Sequence, residues 1–260
     1  MEETVKLEKS SGIALVTLNR PRAYNSFSRD LLELFCNTIT GLAVDADTAG
    51  IVISGEGKAF CTGGDLRWIS EYDGSHGAAF HELAAIFHQA VLEIRHMPKP
   101  VVAAINGVAA GGGFSLALAC DFRIMEASAL LKQAYSSSGL SLDGGGTYSL
   151  PRLVGMARAL EIAAFDEPLS SEKAKEWGLV TEVVKDGESV KRAVAMIEGM
   201  KAMSLSSFAA SKRLINDSYN TPLEVQLEKE RELLSLCGDS PNGREGIAAF
   251  IGKRKPVFKP

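Results

Sequence analysis

Three consecutive glycines, Gly111, Gly112 and Gly113, stand between an apolar run at 101–105 and the stretch "FSLALAC". The run reads as a strand and the residues from 113 to 119 as a helix, so the glycines occupy the corner between them. Glycine there weakens both neighbours by roughly 0.5–1 kcal/mol per residue relative to alanine. Close helix–strand packing offsets that cost in one reading. In the other, the unpaired N–H groups at the start of the helix face a negatively charged ligand atom, which the helix dipole favours. The stretch "CTGGDL" has the same layout: it follows the apolar strand "GIVISG" (50–55) and leads into a helix. Two such N–H groups aimed at one point form an oxyanion hole, worth about 2.7–4 kcal/mol per donor in acyl chemistry. Packing remains the alternative for either site alone; their pairing favours function.

The remaining pattern is that of a layered α/β core with a helical C-terminal part. "IALVTLN" (13–19) is expected to be a strand. Ser28 is placed to cap a helix through "RDLLELFCNTITGLA". In the segment 77–100, Phe80, Leu83, Phe87, Ala90, Val91 and Ile94 share one face of a helix that Pro98 ends. Pro151 suits the first turn of the next helix or the turn before it. Ser170 or Ser171 is placed to cap "SSEKAKEWG", which Gly178 ends, and "LVTEVV" is a strand. No repeat of fixed period is visible. Phosphate-loop templates fail: "GEGKAF" has Phe60 where a third glycine belongs, and a Walker reading ending at Lys58 has Val52 where its first glycine belongs.

Asp143, in "SLDGGGTYSL", lies between apolar residues and a glycine run. A carboxylate partly removed from water becomes a useful base; an Asp-Gly turn or helix cap is the other reading. His88 sits on the flank of the 77–100 helix, as a base or as a histidine satisfied by solvent. No His/Cys cluster has ligand spacing, so no metal is expected. Lys and Arg total 28 against 32 Asp and Glu, a net charge of −4, which argues against nucleic acid or a membrane surface as a general partner. Cys36, Cys61, Cys120 and Cys237 form no close pair and are expected to be reduced thiols of a cytoplasmic protein.

"RPRAYNS", "GKAFCTGGDL", "KPVVAAINGVAAGGGFSLALACDFRI", "GGGTYSLPRLVGMARALEI", "EPLSSEKAKEWGLV" and "GREGIAAFIGKRKPVF", taken in order, resemble the crotonase, or enoyl-CoA hydratase/isomerase, family. The resemblance implies an α/β fold, a spiral of ββα units over residues 1–200, with a helical oligomerisation region at 201–260 that assembles trimers, often paired as hexamers. It implies an acyl-CoA thioester substrate, with coenzyme A as part of that substrate and no separate cofactor. The N–H groups of Gly64 and Gly112 match the family's oxyanion-hole donors. Its hydratases use two glutamates, at positions held here by Ser115 and Tyr135. Its double-bond isomerases carry Glu or Asp at the place of Asp143, and so do the 4-chlorobenzoyl-CoA dehalogenases, as a nucleophile. The dehalogenases also have a histidine matching His88, but a tryptophan where Tyr135 stands. The resemblance further implies CoA contacts from Ala23, Ala59, Asp65, Leu66 and Arg67, and from Phe250 and Lys253 of a neighbouring subunit; a solvated charge run is the other reading of Lys253 and Arg254. The expectation is an acyl-CoA isomerase with Asp143 as proton shuttle. The alternatives are a dehalogenase-like hydrolase, an atypical hydratase, and a non-catalytic acyl-CoA-binding member.

Overall fold

Apolar runs separated by amphipathic helices build parallel sheets covered on both faces, because each crossover lays a helix on the sheet. A computed structural model describes residues 3–259. The strands in chain order are β1 (Val5–Ser10), β2 (Ile13–Leu18), β3 (Gly50–Gly55), β4 (Ala59–Cys61), β5 (Val101–Ile105), β6 (Val108–Ala110), β7 (Phe122–Glu126), β8 (Leu130–Lys132), β9 (Leu169–Ser170) and β10 (Glu182–Val184). The helices are α1 (Arg29–Val44), α2 (Leu66–Ser70), α3 (His76–His96), α4 (Gly112–Ala119), α5 (Gly146–Phe165), α6 (Ser171–Glu176), α7 (Ser189–Lys201), α8 (Leu205–Ser218), α9 (Leu223–Asp239) and α10 (Pro241–Ile251).

Among the described residues the strands form two sheets, ordered β1-β2-β3-β5-β7-β10 and β4-β6-β8-β9. Three successive turns each place one strand in the large sheet and the next in the small one: β3 then β4, β5 then β6, β7 then β8. This is the spiral of ββα units expected from the resemblance. The turns differ in length. Ile51 pairs with Val101, Val102 with Phe122 and Ile124 with Glu182. Unequal excursions between paired strands are why no fixed period is visible in the sequence.

Side chains of the large sheet alternate between two apolar layers. Ile51, Ile53, Val101, Ala103 and Ile105 join the main core with α1, α3 and α4. Val52, Val102, Ala104 and Ile124 face the other way, onto Ala193 and Ile197 of α7. Every residue of α4 is buried, so this helix is apolar all round. The short strands β4 and β6 are not visible in the sequence pattern; three residues are too few for periodicity to register. Pro151 lies inside α5, beyond the first turn, and α5 is broken at Gly155, whose φ of 78° and ψ of 164° are non-helical.

Ser28 caps α1 as expected, its side chain accepting from the Leu31 N–H. Ser28→Ala is expected to lower stability by about 1 kcal/mol, read as an earlier urea-unfolding midpoint with unchanged slope. The C-terminal helices attach through a buried ion pair. Lys212 of α8 lies 2.8 Å from Asp121 and also donates to the carbonyls of Ile94 and Lys99. Those bonds tie α8 to the end of α3 and the entrances of β5 and β7.

Candidate active site

The turns after β4 and β6 touch. Phe27 N–H donates to the Gly63 carbonyl at 2.7 Å and Asp65 N–H donates to the Phe27 carbonyl at 3.0 Å. This bridge flanks Gly64 and leaves its own N–H unused. Gly112 opens α4, where the first N–H groups have no partner within the helix. The glycines allow the approach. Gly63 has a φ of +84°, and a Cβ there would stand 2.6 Å from the Gly112 nitrogen; one on Gly113 would collide with the Cys61 carbonyl. Close packing and open N–H groups, the two readings of the triplet, are therefore both present and serve each other. Cys61 and Cys120 are enclosed, and burial pushes both thiols up to about 12.

Gly64 and Gly112 line one cavity of about 510 Å³, together with Asp143, Tyr135 and the aromatic walls Phe27, Phe80 and Phe87. Asp143 is the only carboxylate residue among the described residues lining it. Its carbonyl accepts from the Gly146 N–H, closing a turn, and from the Ser115 hydroxyl at 2.6 Å. The turn residues Gly144 and Gly145 have φ of +60° and +75°, and a Cβ on Gly144 would collide with the Phe87 ring. Asp143 thus opens a turn, as one reading had it, while its side chain is free of capping duty and lines the cavity.

His88 projects from α3 with Nε2 2.5 Å from Asp143 Oδ1; the two side chains are 49% and 37% exposed. Sequence spacing put His88 at a solvent boundary, and the fold adds the carboxylate partner, 55 residues away. Tyr135 and Ser115 also come together. Burial pushes the Tyr135 phenol well above its usual value, with the Ser115 hydroxyl and the Asp143 backbone beside it. The phenol keeps its proton at neutral pH.

The Tyr135 loop is fastened from α5. Asp166 accepts from the N–H groups of Ala134 at 2.6 Å and Ser137 at 3.1 Å. Burial alone would raise the Asp166 carboxyl; hydrogen bonds from Ser137 and the Ala134 N–H outweigh it and hold the pKa low. A depressed folded pKa means stability present above the unfolded value, about 3.9, and lost as pH falls through the folded one. Asp166→Asn is therefore expected to cost about 1–3 kcal/mol at pH 7. The gap from wild type narrows toward the acid end of a urea-unfolding series. Sequence patterning offered no sign of Asp166, since its partners lie about 30 residues upstream.

Leu66 lines the cavity and is exposed. Ala23 ends a short 3-10 turn, and Asp65 caps α2 while pairing with Arg20 at 2.8 Å. Arg67 is exposed nearby, whereas Ala59 is buried, with its carbonyl taken by the Asn25 side chain at 2.7 Å. Phe250 and Lys253, at the exposed end of α10, are not among the residues lining the cavity within one chain. Among the described residues, no helix is long and apolar enough to cross a membrane.

Two sheets wound as a spiral, with paired glycine turns opening on an apolar cavity, define a fold that comparison with known proteins identifies. Residues 8–260 match the family described as "Enoyl-CoA hydratase/isomerase". The chain belongs to the enoyl-CoA hydratase/isomerase family. It is 34% identical to the 1,2-epoxyphenylacetyl-CoA isomerase of Escherichia coli K12, over 99% of each chain. It is 37% identical to a probable enoyl-CoA hydratase of Rhodobacter capsulatus, over 98% of this chain and 97% of the other. The crystal structure of an enoyl-CoA hydratase from Polaromonas sp. JS666 superposes with a TM-score of 0.93 at 34% identity, covering 98% of this chain and 99% of that one.

Proposed function

We propose that the protein is an acyl-CoA isomerase that moves a double bond along the acyl chain. The observation that carries this reading is that Asp143 is the single carboxylate among the described residues lining the cavity that Gly64 and Gly112 share. Ser115 and Tyr135 stand where the resemblance puts the two carboxylates of a hydratase. Neither takes up a proton at neutral pH, so activation of water by a pair of carboxylates has no second carboxylate.

Asp143 takes a proton from the carbon next to the thioester carbonyl. The electron pair of that C–H bond moves into the dienolate, whose oxygen rests against the Gly64 and Gly112 N–H groups. The N-terminal end of α4 adds to that stabilisation. The same carboxyl group returns the proton two carbons further along, since both carbons lie on one face of a planar dienolate. Backbone at Ala23, Asp65 and Leu66 holds the adenine end of coenzyme A, and Arg67 reaches its phosphates; Ala59, buried with its carbonyl taken by Asn25, has no place in that contact. Phe250 and Lys253 contribute from a second protomer. The exposed apolar residues Leu227, Leu234, Ile247 and Ile251 on α9 and α10 favour a trimer assembled through residues 201–260. The working compartment in this reading is the cytoplasm.

Incubating the protein with 3-enoyl-, 2-enoyl- and aroyl-CoA thioesters, with products read by NMR and mass spectrometry, tests the proposal. The expected product of a 3-enoyl-CoA is its 2-enoyl isomer. Hydrated products alone would sink it, and so would the absence of turnover. The His88–Asp143 contact favours a second reading, in which Asp143 adds to the chlorine-bearing carbon of a 4-chlorobenzoyl ring, chloride leaves as the C–Cl bond breaks, and His88 takes a proton from the water that hydrolyses the resulting aspartyl ester. That chemistry leaves an adduct mass on a His88→Gln variant in single turnover; no adduct is expected.

A further inference from the structure

Asp143 is held at its side chain by one group. Its flanks are Leu142 and the left-handed Gly144, and the only side-chain partner of its carboxylate among the described residues is His88. Behind the pair lies open space. His88 lines a second cavity, of about 560 Å³, between α3, the start of α5, the end of α8 and α9. Its other walls mix the apolar Val91 and Leu92 with Arg95, His96, Tyr148 and Asn216. Asp143 lines the first cavity and His88 the second, so the pair is the partition between them.

From this partition we infer that His88 is a positioning residue that keeps the proton carried by Asp143 on the acyl side. The inference rests on the isomerase reading above. The Nε2–H donates to Oδ1 and fixes the carboxylate plane, leaving Oδ2 as the oxygen that takes the proton from one carbon and delivers it to the other. Without that donor the carboxyl group turns about its own side-chain bonds toward the second cavity. There the proton exchanges with water before it returns to carbon. The role needs a donor, not a titrating ring: the bond that breaks is C–H, the bond that forms is O–H on Oδ2, and His88 neither gains nor loses a proton.

The test uses a 3-enoyl-CoA dideuterated at C2, turned over in ordinary water, with deuterium at C4 of the 2-enoyl product measured by mass spectrometry and NMR. Wild type is expected to carry deuterium to C4. His88→Gln, which keeps a donor of similar reach, is expected to retain that transfer. His88→Ala is expected to form product whose C4 label is lost to water. His88→Leu fills the space of the ring without a donor and gives the same reading if the alanine variant is unstable. Equal label in His88→Ala, or His88→Leu, and wild type would overturn the inference. So would loss of label in His88→Gln as complete as in His88→Ala, which would make titration the role of the ring. Product without C4 label already in wild type would overturn it as well. Failure of the isomerase reading looks different: wild type then gives no 2-enoyl product, and the inference falls with it.

Discussion

Asp143→Asn should lose about 10²–10⁴-fold in kcat, the range that general acid–base groups contribute, with thioester binding largely unchanged. Asparagine keeps the shape of the side chain and the polar contact with His88. It removes the one basic oxygen pair in the cavity, and neither Tyr135 nor Ser115 replaces it, because a phenol raised by burial and an aliphatic hydroxyl hold their protons. The loss should fall on kcat and leave the dissociation constant of a non-reacting acyl-CoA, measured by calorimetry, near that of wild type. A variant turning over its best substrate at close to the wild-type rate would remove Asp143 from the mechanism.

The second large effect concerns the donor at Gly112. Proline has no N–H and is tolerated at the first position of a helix, where that N–H has no helical partner. A Cβ at this position would lie 2.8 Å from Cε2 of Phe27, so a single substitution also disturbs packing. Phe27→Leu makes room, and Gly112→Pro is best measured in that background. The double variant is expected to be about 10²–10³-fold slower than Phe27→Leu alone, the usual cost of one oxyanion donor. Matching circular dichroism and unfolding midpoints would show that the fold is kept. Equal rates in the two folded proteins would mean that the thioester oxygen does not use Gly112.

Much of this was legible in the chain itself, for physical reasons that differ by element. α1 and α3 were visible because a long helix repeats its apolar face several times and its serine or proline ends are chemical signals. The buried strands of the large sheet were visible as short apolar runs between turns. β4, β6, β8 and β9 were not, since two or three residues carry no period. Gly64, Gly112 and Asp143 were singled out by local chemistry and by the resemblance, and the fold places all three on one cavity. The His88–Asp143 contact, the Ser115 bond to the Asp143 carbonyl and the Asp166 anchor join residues 28 to 55 positions apart. Contacts at that range are set by the winding of the spiral. Pro151 was misplaced because proline favours the first helical turn on average, whereas α5 begins five residues earlier at Gly146.

The unequal turns of the spiral bear on how such a protein changes over time. Strand pairing is fixed by residues such as Ile51 and Val101, and the chain between them is free to differ in length without shifting that register. This long excursion contains α2 and α3, and from it come Leu66, Phe80, His81, Leu83 and Phe87 on the cavity wall. Gly64 lies ahead of that wall, on the turn after β4, and Gly112 and Asp143 are built on later strands and helices. Lineages can therefore trade one acyl group for another by insertion, deletion or substitution in the stretch beyond Gly64, while the apparatus that handles the thioester is inherited intact.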